Sequence, residues 1–84
     1  MENYAKALEY YQLSNAILLN ILGPNHPDIA TSYNNIATAH SDQGNYYKSL
    51  QFYEKSLAIR IKSLGENHPE VAESYNHIGV LNFN

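Results

Sequence analysis

The sequence predicts an all-α fold, an α-solenoid of antiparallel helix pairs, on three observations. The first is internal repetition. Leu22-Gly23-Pro24-Asn25-His26-Pro27-Asp28-Ile29-Ala30 returns 42 positions later as Leu64-Gly65-Glu66-Asn67-His68-Pro69-Glu70-Val71-Ala72, and eighteen of the forty-two aligned pairs are identical. A period of about 20 to 50 residues marks stacked supersecondary units. The second is that apolar residues recur at spacings of three and four, the signature of one helical face, with no strand-like alternation. The third is that the prolines and most glycines gather in the intervals between those apolar stripes. The chain is read as one domain, residues 1–84, because no interval is long enough to be a linker.

The first helix is predicted over about 3–22. Tyr4, Leu8, Tyr11, Leu18 and Leu22 fall at spacings of four, three, seven and four, with Ala7 and Ser14 as small residues alongside. Gly23 follows the last of them, where a left-handed C-cap favours glycine, and Pro24 prevents continuation. The second helix is predicted over 27–42. Proline suits the first helical position because its missing N–H has no intrahelical partner, Asp28 suits the positive end of the dipole, and His26 or Asn25 is the expected cap. Its stripe is Ile29, Tyr33, Ile36, Ala37 and His40, and Gln43-Gly44-Asn45 is the turn that follows.

The third helix, about 46–64, carries Tyr46, Leu50, Tyr53, Leu57, Ile61 and Leu64, with Ser49 and Ser56 as small neighbours. Gly65 ends it as Gly23 ends the first. Pro69 opens a fourth helix, about 69–82, with Val71, Tyr75, Ile78 and Gly79 on one face.

Composition narrows the function. A compact globule of 84 residues has a marginal core, a limit that stacked repeats partly escape. The net charge is -3, and the five basic residues (Lys6, Lys48, Lys55, Arg60, Lys62) are scattered among eight carboxylates, which argues against nucleic acid because counterion release needs clustered cations. The longest aliphatic run, Ala16 to Leu19, is far too short to cross a bilayer. Met1-Glu2-Asn3-Tyr4-Ala5-Lys6 does not resemble a secretory signal, so a cytoplasmic location is expected. With no cysteine there are no disulfides, thiolate zinc sites or cysteine nucleophiles.

The run Tyr33-x-x-Ile36-Ala37-x-x-His40, followed by Gly44, Tyr46, Ser49, Tyr53 and Ser56, resembles the tetratricopeptide repeat. That pattern places an aromatic, a leucine-like, a small and an aromatic residue on its first helix, then small, aromatic and small residues on its second. The 42-residue period and the Leu-Gly-x-Asn-His-Pro-x-Ile/Val-Ala corner resemble the kinesin-light-chain subtype. Two departures stand out: His40 and Asn82 occupy positions where an aromatic is usual, and Ser49 and Ser56 replace alanines. In the family frame only Pro27 to Leu64 is a whole unit, and the chain reads as an excerpt of a longer array.

The resemblance implies a right-handed superhelix and a protein-interaction module. In the family the first helix of each pair lines a concave groove, which assigns that role to 27–42 and 69–84. With Tyr33, Ile36, Ala37 and His40 turned to the neighbouring helix, the helical period leaves Thr31, Asn34, Asn35, Thr38, Ser41 and Asp42 for solvent, with Glu73, Asn76, His77 and Val80 beside them. The peptide-binding candidates are Thr31, Asn34, Asn35, Thr38, Ser41, Glu73, Asn76 and His77. Asparagine both donates and accepts, so recurring asparagines such as Asn34 and Asn76 can hold the backbone of an extended peptide whatever its sequence. Family members that take acidic peptides use groove lysines and arginines, and these helices contain none, so a neutral or mildly basic partner segment is expected.

No catalytic, metal or cofactor site is expected. His26 and His68 stand one repeat apart on successive corners, which suits capping and not a shared metal centre. There is no His-Glu-x-x-His spacing, no nucleophile elbow and no glycine-rich phosphate loop. Tyr4, Leu8 and Tyr11 at one end and Ile78, Leu81 and Phe83 at the other are expected to leave apolar faces uncovered, so self-association through the end helices is anticipated, either head to tail or by reciprocal exchange. The alternative to a peptide-binding role is a structural repeat segment that self-associates or spaces other domains.

Overall fold

A computed structural model describes residues 3–83, with only the backbone of Phe83; Met1, Glu2, Asn84 and the Phe83 side chain, including the expectations placed on them, lie outside that description. Four helices follow in order: α1 (Tyr4–Leu22), α2 (Pro27–Asp42), α3 (Tyr46–Leu64) and α4 (Pro69–Phe83). Among the described residues each packs only on its neighbours in the chain, the α2/α3 contact being the most extensive. The result is a slab of 37 × 34 × 18 Å, about two helix diameters thick.

The corners do what the sequence asks of them, with one change. His26 is the cap of α2: its Nδ1 accepts from the Asp28 N–H at 3.1 Å, and His68 Nδ1 accepts from the Glu70 N–H at 3.1 Å one repeat later. Each imidazole thereby satisfies one of the N–H groups that a helix start leaves unpaired. Asn3 caps α1 by accepting from the Lys6 N–H at 3.1 Å. The change concerns Gly23 and Gly65, expected in the left-handed helical region. Both have positive φ (84° and 91°) but extended ψ (167° and 157°), a region essentially restricted to glycine, because the chain must run straight on into the next corner. The α2/α3 turn instead closes by two bonds, Gly44 N–H to the Ser41 carbonyl and Asn45 N–H to the His40 carbonyl, the Schellman arrangement.

The core is built from small residues that let helices approach. Ala30, Ala37, Ser49, Ser56 and Ser74 are fully buried, together with Ile29, Ile36 and Val71. Serine in place of alanine survives because Ser49 Oγ donates to the Ala37 carbonyl at 2.8 Å. Ser56 Oγ is buried with no hydrogen-bond partner among the described residues. His40 takes the place of an aromatic by behaving as one: its ring lies flat on Phe52, centroids 5.6 Å apart and 11° from parallel, and Tyr33 packs on the same ring at 5.8 Å. Lys55 Nζ rests over Phe52 and Tyr33, 5.1 and 5.5 Å from their centroids. Burial, and after it the Lys48 ammonium, push the His40 imidazole below its ordinary 6.5.

The uncovered faces differ from those expected. On α1, Tyr4 and Leu8 are half-buried and turn with Tyr11 toward α2, while Tyr10, Leu13, Ile17 and Ile21 are exposed at 60, 55, 60 and 69%. The stripe found by periodicity is the one that meets the next helix, and a second apolar stripe lies behind it. On α4, Ile78 and Leu81 are half-buried and Tyr75 is the exposed ring, at 56%.

Candidate functional site

On α2 the residues Thr31, Asn35, Thr38 and Asp42, spaced at four, three and four, form an exposed stripe. Its flank toward α1 is an elongated depression made of two adjoining cavities of about 280 and 270 Å³. The first is lined by Asn3, Tyr4, Ala7, Tyr11, Asn35, Thr38, Ala39 and Asp42; the second by Tyr11, Ser14, Leu18, Asp28, Thr31, Ser32 and Asn35. Tyr11 and Asn35 belong to both and mark the waist. One wall is therefore aromatic and aliphatic, from α1, and the other carries hydroxyls and a carboxamide, from α2. Among the described residues of the lining, Asp28 and Asp42 are the only charged ones, and both are acidic.

The eight candidate residues do not form one surface. Thr31, Asn35 and Thr38 line the α1/α2 seam. Asn34 is half-buried instead of solvent-facing, with its Oδ1 buried and without a hydrogen-bond partner among the described residues, and Ser41 is likewise half-buried. Both sit about a sixth of a turn or more off the open stripe, which is enough to tuck them under an adjacent helix. Asn76 is exposed on α4, so the two equivalent asparagines are not equivalent in environment.

Glu73 and His77 belong to the α3/α4 seam, and that seam is occupied by the chain's own side chains. Arg60, 4% exposed, donates through Nη1 to Ser74 Oγ at 2.9 Å, to Glu73 Oε1 at 3.2 Å and to the Glu70 carbonyl at 3.2 Å. Its Nε stands 3.5 Å from Glu70 Oε1. His77 stacks on Tyr53 at 4.8 Å and 6°, and Tyr53 OH shares a hydrogen bond of 2.9 Å with Thr38 Oγ1. Thr38 thus joins the filled seam to the open one.

Periodicity on α2 does not disclose the α1 wall, whose residues contribute only once α1 lies beside α2. The signal available was the repeat itself: Tyr11 is the counterpart of Tyr53, and Asn35 of His77. Among the described residues, no group of three or more His, Asp or Glu side chains is placed to hold a metal ion, and no helix is long and apolar enough to cross a membrane.

A family model for the tetratricopeptide repeat matches residues 1–46 and again residues 28–83. No curated relative matches the chain. The two matches together run through all four helices, including the α2/α3 pair at their centre, and the chain belongs to the tetratricopeptide-repeat family.

Proposed function

We propose that this repeat protein, of the kinesin-light-chain-like 42-residue subtype, binds an extended peptide or partner segment along the α1/α2 seam and acts as an interaction scaffold without catalysis, in the cytoplasm. Tetratricopeptide repeats generally mediate protein–protein interaction, and the carrying observation here is an open seam between a hydrogen-bonding wall and an apolar one. Asn35 at the waist offers its carboxamide to a peptide backbone, with Thr31 and Thr38 hydroxyls on either side. Tyr11 and Leu18 receive apolar side chains. The charge of the lining sets the preference: Asp28 and Asp42 favour a neutral or basic segment, and a strongly acidic one would be desolvated with no cation to meet it.

The test is fluorescence anisotropy with labelled peptides of basic, neutral and strongly acidic composition. The expected order is basic, then neutral, with no saturable binding of the acidic set. Asn35→Ala should weaken binding about tenfold, the equivalent of one lost hydrogen bond, while Asn76→Ala leaves it unchanged. Micromolar binding of an acidic peptide at physiological salt would sink the reading.

A further inference from the structure

The exposed stripe of α1 and the exposed face of α4 are the two halves of an interface that the chain already contains once. Advancing α1 by 42 residues maps Tyr10, Leu13 and Ile17 onto Phe52, Lys55 and Ile59 of α3, the residues that cover α2. Advancing α2 by the same interval maps Ala30, Tyr33 and Ala37 onto Ala72, Tyr75 and Gly79 of α4. In the α2/α3 contact Ala30 is fully buried, Ile59 is 8% exposed and Tyr33 packs on Phe52. Their counterparts are open: Ile17 is 60% and Tyr75 56% exposed, and Ala72 is exposed. Among the described residues, no helix packs on either face.

We infer that α4 of one copy docks on α1 of a second copy in the register of the α2/α3 pair, so that the two helices together complete one repeat unit across the junction. Three positions of that interface are chemically the same in both settings: the tyrosine (Tyr33, Tyr75), the alanine (Ala30, Ala72) and the isoleucine (Ile59, Ile17). The differences are tolerated. Ala7 and Gly79 stand where Ser49 bonds Ala37, so that hydrogen bond is lost but close backbone approach is kept, and nothing lies within 4 Å of a Cβ built on Gly79. Leu13 replaces Lys55 and Tyr10 replaces Phe52, which makes the α1 half more apolar where it meets Tyr75. The α1 half carries one charge, Lys6, four residues before Tyr10 and the counterpart of Lys48, and α4 contains no lysine or arginine to repel it. The contact joins different faces, and it propagates as a heterologous interface. It does not depend on the peptide-binding reading, since Ala7 is the one residue it shares with the described lining of the open seam.

Sedimentation equilibrium over a wide concentration range tests it without any ligand. The expected result is a mass that rises continuously with concentration beyond a dimer. Ile17→Glu disables the α1 face and Tyr75→Glu the α4 face, and each variant should remain monomeric alone. Mixed in equal amounts they should form a dimer that grows no further, because each retains one complementary face. Tyr10→Glu, at another exposed α1 position, should pair with Tyr75→Glu in the same way and guards against one variant failing to fold. A parent chain that stays monomeric, a parent that stops at a dimer, a Tyr75→Glu chain that still assembles, or a mixture that stays monomeric while both components keep full helicity would each overturn the inference.

Discussion

The α1/α2 and α3/α4 seams are the same joint built twice, and they have diverged through a handful of side chains. Both begin with a histidine cap and a proline, and both carry a tyrosine on one wall and a serine at the other (Tyr11 and Ser32, Tyr53 and Ser74). At the position where α3 has Arg60, α1 has Leu18. Arg60 spans its seam to Glu70, Glu73 and Ser74, whereas Asp28 and Ser32, the counterparts of Glu70 and Ser74, line a cavity. Where His77 stacks on Tyr53, which is 5% exposed, Asn35 is too short to cover Tyr11, which is 38% exposed. One arginine and one imidazole ring fill in the α3/α4 joint the space that stays open between α1 and α2.

The largest effect should come from undoing the joint. Arg60→Leu gives the α3/α4 seam the residue that the open seam has, removing the bond to the buried Ser74 hydroxyl and the links to both glutamates. Because those carboxylates are about half in solvent, the ionic part is discounted, and the expected loss is about 2 kcal/mol. Chemical denaturation measures it, and hydrogen exchange should report the loss chiefly in α4. A loss confined to α1 would show that the two seams are not alike. The reciprocal change, Leu18→Arg, should close the open seam by bringing a guanidinium to Asp28 and Ser32. Peptide anisotropy should fall about tenfold while stability moves by no more than about 1 kcal/mol, since the arginine stem replaces part of the leucine packing.

A smaller effect separates both seams from the α2/α3 contact between them. His40 is buried there, and its folded pKa lies below the ordinary 6.5 that applies when the chain is unfolded. Between those two values the unfolded state holds more protons than the folded one, so stability rises with pH. The contribution is complete above about 6.5 and is lost as pH falls through that value toward the folded pKa. Thermal melts of the parent and of His40→Phe, compared across this range, should converge at high pH and diverge on acidification. A constant difference would mean that the ring acts by shape alone.

The helices were legible because glycine, proline and apolar spacing repeat with the same interval, and each of the eight helix ends lies within a residue of its expected position. The α2 half of the seam was legible as well: Thr31, Asn35 and Thr38 follow from the helical period alone. What escaped was everything that depends on a second helix. Arg60 is on α3 but spends its charge on α4, so Glu73 reads as a free groove residue until the two are packed. His77 reads as solvent-facing until Tyr53 lies beneath it. Asn34 is displaced from the open stripe by an angle too small for periodicity to resolve. The apolar stripe Tyr10, Leu13, Ile17 and Ile21 was masked because α1 is apolar on two sides, and a single-face reading finds only one.

Contacts between chain neighbours alone, the plainest feature of the architecture, govern how the molecule comes apart. With no helix bridging distant segments, little loop-closure entropy opposes folding, and structure can spread outward from the α2/α3 pair. Opening can begin at either end without disturbing the middle, so protection against exchange should grade inward and a single melting temperature describes an average of coupled units. A segment bound across α1 and α2, as proposed, would therefore do more than occupy a surface. It would tie the less protected helix to the more protected one and make the unit it covers cooperative.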